Sequence, residues 1–159
     1  MTAFGASIPG LSDLKSAVPR EGYAYWLSKR GDRPFPARGD CDPPVEVPRL
    51  ARHIMLFDVL HDPLDFRYRL VGDKMREHLG DNYIGRLWSE IPFQCAPNPI
   101  WLHHQWVVEH RQPRVYCPNY IGPNHDFLSV ESVVLPLGDS PDRADMLMVF
   151  ADAVSKVKR

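Results

Sequence analysis

The sequence predicts an α+β fold: a five-stranded antiparallel sheet with helices on one face and a helical extension at the N-terminus. Three observations predict it. Two strand-like runs come early and three come late, with the main helical segments grouped between them. The last run, Asp145–Asp152, sets Met146, Met148 and Phe150 on one face and Leu147, Val149 and Ala151 on the other. Both faces are apolar, the pattern of a central strand covered on both sides. Proline also punctuates the chain: seven of the 16 precede His53 and six lie between Pro92 and Pro123. A residue with fixed φ and no N–H belongs at connections and helix starts, so these clusters leave the sheet interior clear.

Taken in order, Pro19–Lys29 reads as a helix with proline in its first turn, Tyr23, Trp26 and Leu27 at i, i+3 and i+4, and Gly31 placed to end it. Leu11, Leu14 and Val18 suggest an earlier helical turn. Asp42-Pro43-Pro44 has the form of an N-cap followed by proline at N1, opening a short helix towards Ala51. Ile54–Leu60 is an apolar run broken only by Asp58 and reads as a buried strand. After the turn His61–Asp65, Phe66, Tyr68 and Leu70 alternate with Arg67 and Arg69, completing a hairpin. Gly72–Leu79 is a short amphipathic helix closed by Gly80, and Gly85–Ile91 holds another helical turn. Asn98-Pro99 opens the longest helix of this region, which runs to His110. Strands follow at Arg114–Tyr120, Phe127–Leu135 and Asp145–Asp152, with Pro113 and Pro118 pushing the first of them to an edge.

Composition excludes several classes. The chain has 159 residues, 44% hydrophobic and 25% charged, with a formal charge of −1. Those fractions are those of a globular core, and the balanced charge gives no global field to draw nucleic acid or anionic lipid. No apolar stretch reaches the ~20 residues that a bilayer span needs. Met1–Gly10 lacks a signal-peptide pattern, so a cytoplasmic location is expected. Cys41, Cys95 and Cys117 form neither a disulfide framework nor a C-x-x-C pair and are expected as free buried thiols. Gly-rich phosphate loops, G-x-S-x-G and H-E-x-x-H strings are absent. Residues 1–52 form a helical lead-in packed on a core of 53–153.

Several strings carry a resemblance. They are Tyr25-Trp26, Arg30-Gly31, the stretch Arg38-x-Asp40-x-Asp42-Pro43, and Phe66-Arg67-Tyr68-Arg69-Leu70-Val71-Gly72. Phe127-Leu128-x-Val130-Glu131, Leu135-Pro136-Leu137 and Asp145-Met146-Leu147 add to them. Together, over Leu14–Asp152, the chain resembles the PAS domain, and in particular bacterial PAS-like proteins that stand alone. The resemblance implies sheet order 2-1-5-4-3, which agrees with an edge third strand and a central fifth. It also implies ligand sensing or protein contact in signalling, without catalysis.

On that frame a pocket is expected beneath the helix Asn98–His110, lined by Phe57, Tyr68, Trp101, His104, Val108, Tyr116, Ser129 and Met148. Apolar walls with a few polar tips are the make-up of a small-molecule site. Haem-binding PAS proteins place an axial ligand on this helix, which would fall to His103 or His104. No second haem signal accompanies them, and neither a cofactor nor a metal is expected. An Asn-Cys-Arg flavin string is missing, since Cys95 is flanked by Gln94 and Ala96. Asp58 with His104 is the pair to test for a small cavity enzyme. Arg67 and Arg69 suit either a solvated strand face or two forks for an acidic partner, and Arg38 with Asp40 and Asp42 a clamp on the N-terminal segment. Tyr23, Trp26 and Leu27 form an apolar patch through which the chain is expected to meet a signalling partner or a second copy of itself. With no effector segment left over, output would pass in trans. The alternative is a pure scaffold whose pocket its own side chains fill.

Overall fold

The computed structural model describes residues 8–119 and 127–155. Five α-helices are present among them: α1 (Val18–Arg30), α2 (Pro43–Glu46), α3 (Pro48–Ala51), α4 (Asp73–Leu79) and α5 (Pro99–His110). The strands are β1 (Ile54–Leu60), β2 (Asp65–Val71), β3 (Arg114–Tyr116), β4 (Phe127–Leu137) and β5 (Met146–Ser155). They form one antiparallel sheet in the order β2-β1-β5-β4-β3.

Proline sets several boundaries. The helix expected from Pro43 towards Ala51 is broken in two, because Pro48 keeps the preceding Val47 out of the helical region (φ −139°, ψ 63°). The strand expected over Arg114–Tyr120 stops at Tyr116, short of Pro118, and Tyr120 itself lies outside the described residues. Pro136 lies well inside β4, yet beyond the β3 ladder, which ends at Arg114↔Val134. Its missing N–H therefore leaves no gap in that ladder. Gly31 (φ 64°) and Gly80 (φ 78°) close α1 and α4 at a backbone conformation that side chains disfavour.

Helices cover both faces of the sheet, not one. β5 requires this, since neither of its apolar faces tolerates water. On one face Tyr23, Tyr25 and Trp26 of α1 pack with Ile54, Leu56, Val133, Leu135, Met148 and Phe150. On the other, Phe57, Phe66, Val134, Leu147 and Val149 pack with Met75, Trp88, Trp101 and Val107. The first layer buries the patch expected to dock a partner: Trp26 is 1% exposed, Tyr23 is buried, and Leu27 packs partly buried beside them. Trp26 Nε1 also donates to the carbonyl of Pro136 (2.9 Å), tying α1 to β4.

Polar anchors fix the segment before α1. Glu131 and Asp152 are cross-strand neighbours, an arrangement that is unfavourable for two carboxylates alone. The chain supplies donors to both. The amides of Ser16 and Lys15 donate to Glu131 (2.8 and 3.1 Å), and Ser16 Oγ donates to Asp152 (2.8 Å). The Arg38–Asp42 stretch does tie down locally, though through other bonds than the expected side-chain clamp. Arg38 donates to the carbonyl of Cys41, Asp40 pairs with Arg33, and the Asp42 amide donates to the Tyr25 hydroxyl.

The approach of α1 to β5 is close enough to test. A Cβ on Gly22 would lie 2.4 Å from the Phe150 ring. On a solvent-exposed helix Gly→Ala stabilises by about 1 kcal/mol. Here overpacking, which costs about 1–3 kcal/mol, reverses the sign. Gly22→Ala is expected to lower the unfolding free energy in urea, and a gain of stability would show that α1 is not seated on Phe150.

Candidate functional site

The second layer is incompletely filled. Between the sheet and α4, α5 and the chain that joins them lies a cavity of about 590 Å³, within the size range of small-molecule sites. Strand parity decides what reaches it. Met55 and Phe57 of β1, Val149 and Ala151 of β5, and Val130 and Ser132 of β4 all face this side. Met75 and Leu79, one turn apart on α4, form a wall.

Aromatic rings meet mainly edge to face. Phe57 contacts Tyr68 (5.0 Å between centroids) and Trp88 (4.9 Å) in T-shaped pairs, and Trp88 meets the His104 ring at 4.8 Å in the same way. Such contacts favour fixed ring orientations over a sliding stack. The lining described contains no Lys, Arg, Asp or Glu.

His78, Asn98 and Asn119 add polar atoms to the wall, and several of its other polar groups are held in fixed orientations. His104 is 3% exposed, and its Nδ1 lies 2.8 Å from the carbonyl of Ile100 one turn earlier. A carbonyl only accepts, so Nδ1 carries the proton and the neutral ring keeps its lone pair on Nε2. Burial pushes this imidazole's pKa down to about 4, with His103 a smaller influence in the same direction. Tyr68 donates its hydroxyl to Oε1 of Gln94 (2.8 Å), and burial raises its pKa above the usual phenol value. Gln94 is itself only 2% exposed. Burial likewise raises the pKa of Tyr116. Ser132 donates Oγ to the Tyr116 carbonyl (2.5 Å), holding β3 against β4.

Of the eight expected lining residues, Phe57, Tyr68, His104 and Tyr116 are in the cavity wall and four are not. Met148 lies in the opposite layer beneath α1, because β5 turns its odd-numbered residues to the cavity. Ser129 is out of phase with Val130 and Ser132, which line the wall, next to a register irregularity at the start of β4. Trp101 is buried behind the wall against Phe66 (5.1 Å), and Val108 is partly buried while Val107 takes the fully buried position. The inward stripe of α5 thus runs through Trp101, His104 and Val107.

Other candidates separate. Asp58 alternates with cavity-facing Phe57, and its carboxylate meets Arg67 (3.4 Å) and Arg69 (3.7 Å). No Asp58–His104 pair forms, and both arginines are engaged within the chain. His103 diverges from His104 and lies against the Tyr116 ring (4.2 Å). A haem on His104 would need cations for its propionates, and the lining described offers none, so these residues do not fit that group. Among the described residues, no three His, Cys, Asp or Glu side chains group to hold a metal ion. No helix among them is long and apolar enough to cross a membrane. Of the thiols only Cys41 is buried, and burial raises its pKa to about 11; Cys95 is half-buried and Cys117 exposed.

Set against family models, curated proteins and solved structures, the chain matches none. The site therefore rests on its own geometry. Sequence reasoning missed Met55, Met75, Tyr83 and Gln94. Met55 shares the parity of Phe57 and was recoverable. Gln94 sits in a non-repetitive connection, where no periodicity marks a side chain as inward.

The buried imidazole has a consequence for stability. Its folded pKa is depressed from 6.5 to about 4, so the unfolded chain binds this proton first as pH falls. Stability is complete above pH 6.5 and declines towards pH 4, by roughly 3 kcal/mol for this group. His104→Leu is expected to be less stable at pH 7 but to show a shallower decline from pH 6.5 to pH 4.5 in denaturant titrations. A residual slope will persist because burial also depresses His78 and His103. An unchanged slope would place His104 in water.

Proposed function

We propose that the protein is a PAS-like sensory module that binds a small molecule in the cavity beneath α5 and passes occupancy to a protein partner. The carrying observation is the cavity itself: about 590 Å³, apolar in the main, with the oriented groups of His104, Gln94 and Tyr116 in its wall. A scaffold that needed only a core has no use for such a space, since voids weaken packing. The sheet order β2-β1-β5-β4-β3 supports the PAS-like reading.

Transmission follows from what touches the wall. Tyr68 stacks on Tyr83 (5.5 Å), and Tyr83 meets Phe93 (6.0 Å), which is 40% exposed. Tyr83 and Phe93 also line the cavity, so a ligand bears on this partly exposed apolar side chain both directly and through Tyr68. The partner surface lies there and not on the inward-turned Tyr23–Trp26–Leu27 stripe. Occupancy shifts partner affinity only as far as the ligand binds two states differently. No bond-making step is assigned to the site.

Native mass spectrometry of freshly purified protein, paired with thermal-shift screening of neutral apolar metabolites, tests this reading. A retained mass, or a melting temperature raised by several degrees at ligand concentrations far above Kd, is the expected result. A protein of bare mass whose melting temperature no compound moves would leave the scaffold reading in its place.

A further inference from the structure

The cavity's polar groups specify the kind of guest, an inference that rests on the reading of the cavity as a ligand site. Three features converge. First, His104 offers an acceptor. Its Nδ1–H is committed to the Ile100 carbonyl (2.8 Å), and its Nε2 has no hydrogen-bond partner among the described residues. Nor is Nε2 one of the fully enclosed unpaired atoms, so it retains contact with the cavity that the ring lines. Second, the wall described lacks Lys, Arg, Asp and Glu, and its other imidazole, His78, is held towards the neutral form by burial, so a carboxylate, phosphate or ammonium guest would lose its hydration without a full counter-charge, at a cost of several kcal/mol. Third, the rings of Phe57, Trp88 and Tyr68 surround the approach to His104 with edges and faces in T-shaped or tilted pairs. That geometry accepts another ring.

We propose that the cavity selects a neutral aromatic molecule bearing one hydrogen-bond donor, of the phenol or indole type, which donates to Nε2 of His104. The donor ends in the one acceptor that the ring retains, and the aromatic body fills the apolar space. The depressed pKa of His104 supports the same assignment, because a neutral imidazole accepts where an imidazolium cannot.

Calorimetric titration of the whole protein at pH 7.5 with naphthol, its methyl ether and naphthoate provides the test. These probes share a ring system and differ in donor and charge. Naphthol is expected to bind at least tenfold more tightly than the ether, equivalent to about 1.4 kcal/mol, and naphthoate weakest of all. In His104→Phe the naphthol–ether preference should collapse while the ether still binds. Should that variant not fold, nitrogen NMR of the wild-type imidazoles decides: the Nε2 signal of His104 moves with naphthol and not with the ether. Naphthol and ether binding alike, or naphthoate binding best, would overturn the donor assignment while leaving a ligand cavity in place. No binding by any of the three would overturn the donor assignment for this aromatic class, and the metabolite screen above then decides whether the cavity takes any guest.

Discussion

The structure depends on a strand that is apolar on both sides. β5 occupies the centre of the sheet, and neither the Met148–Phe150 face nor the Leu147–Val149 face can be left to water. Each face therefore recruits its own cover, and the two covers differ in quality. Over one, α1 lies so close that Gly22 has no room for a Cβ against Phe150. Over the other, Phe57, Trp88 and His104 pack beneath and along α5 without filling the layer, and a cavity remains. Tight packing on one side gives the fold its stability; loose packing on the other provides the site.

Within that looser layer one hydrogen bond sets the chemistry. The Ile100 carbonyl, already part of α5, captures Nδ1 of His104 and so fixes which nitrogen faces the space. A different tautomer would present a donor, and a solvated ring would carry a charge below about pH 6.5. Burial among aromatic rings keeps the imidazole neutral and the backbone keeps it oriented. The arrangement costs stability on acidification, and it leaves the Nε2 acceptor of His104 directed into a mainly apolar pocket.

Much of the architecture was legible because it is written in periodicity and proline. An apolar run located β1, alternation located β2, two-sided burial identified β5 as central, and Pro113 and Pro118 put the third strand at an edge, though its end at Tyr116 was not foreseen. Parity was harder. With both faces of β5 apolar, nothing in the local pattern told which face met the cavity, and Met148 was placed on the wrong side for that reason. The Tyr23–Trp26–Leu27 stripe failed similarly: an apolar helix face looks the same whether it awaits another protein or its own sheet. Gln94 and Tyr83 were illegible, since long-range packing alone turns a residue of an irregular connection inward. His104 was legible as a candidate from its helix face, but its tautomer follows only from the distance to Ile100.

One face of the sheet is underpacked and the other is not. Xenon, which enters apolar cavities without needing a polar partner, tests it by methyl NMR under gas pressure. Saturable shifts are expected at Met55, Met75 and Val149, which line the cavity, with Met148 and Leu135 beneath α1 unmoved. Unresponsive methyls on the α5 side, or equal responses on both faces, would contradict it.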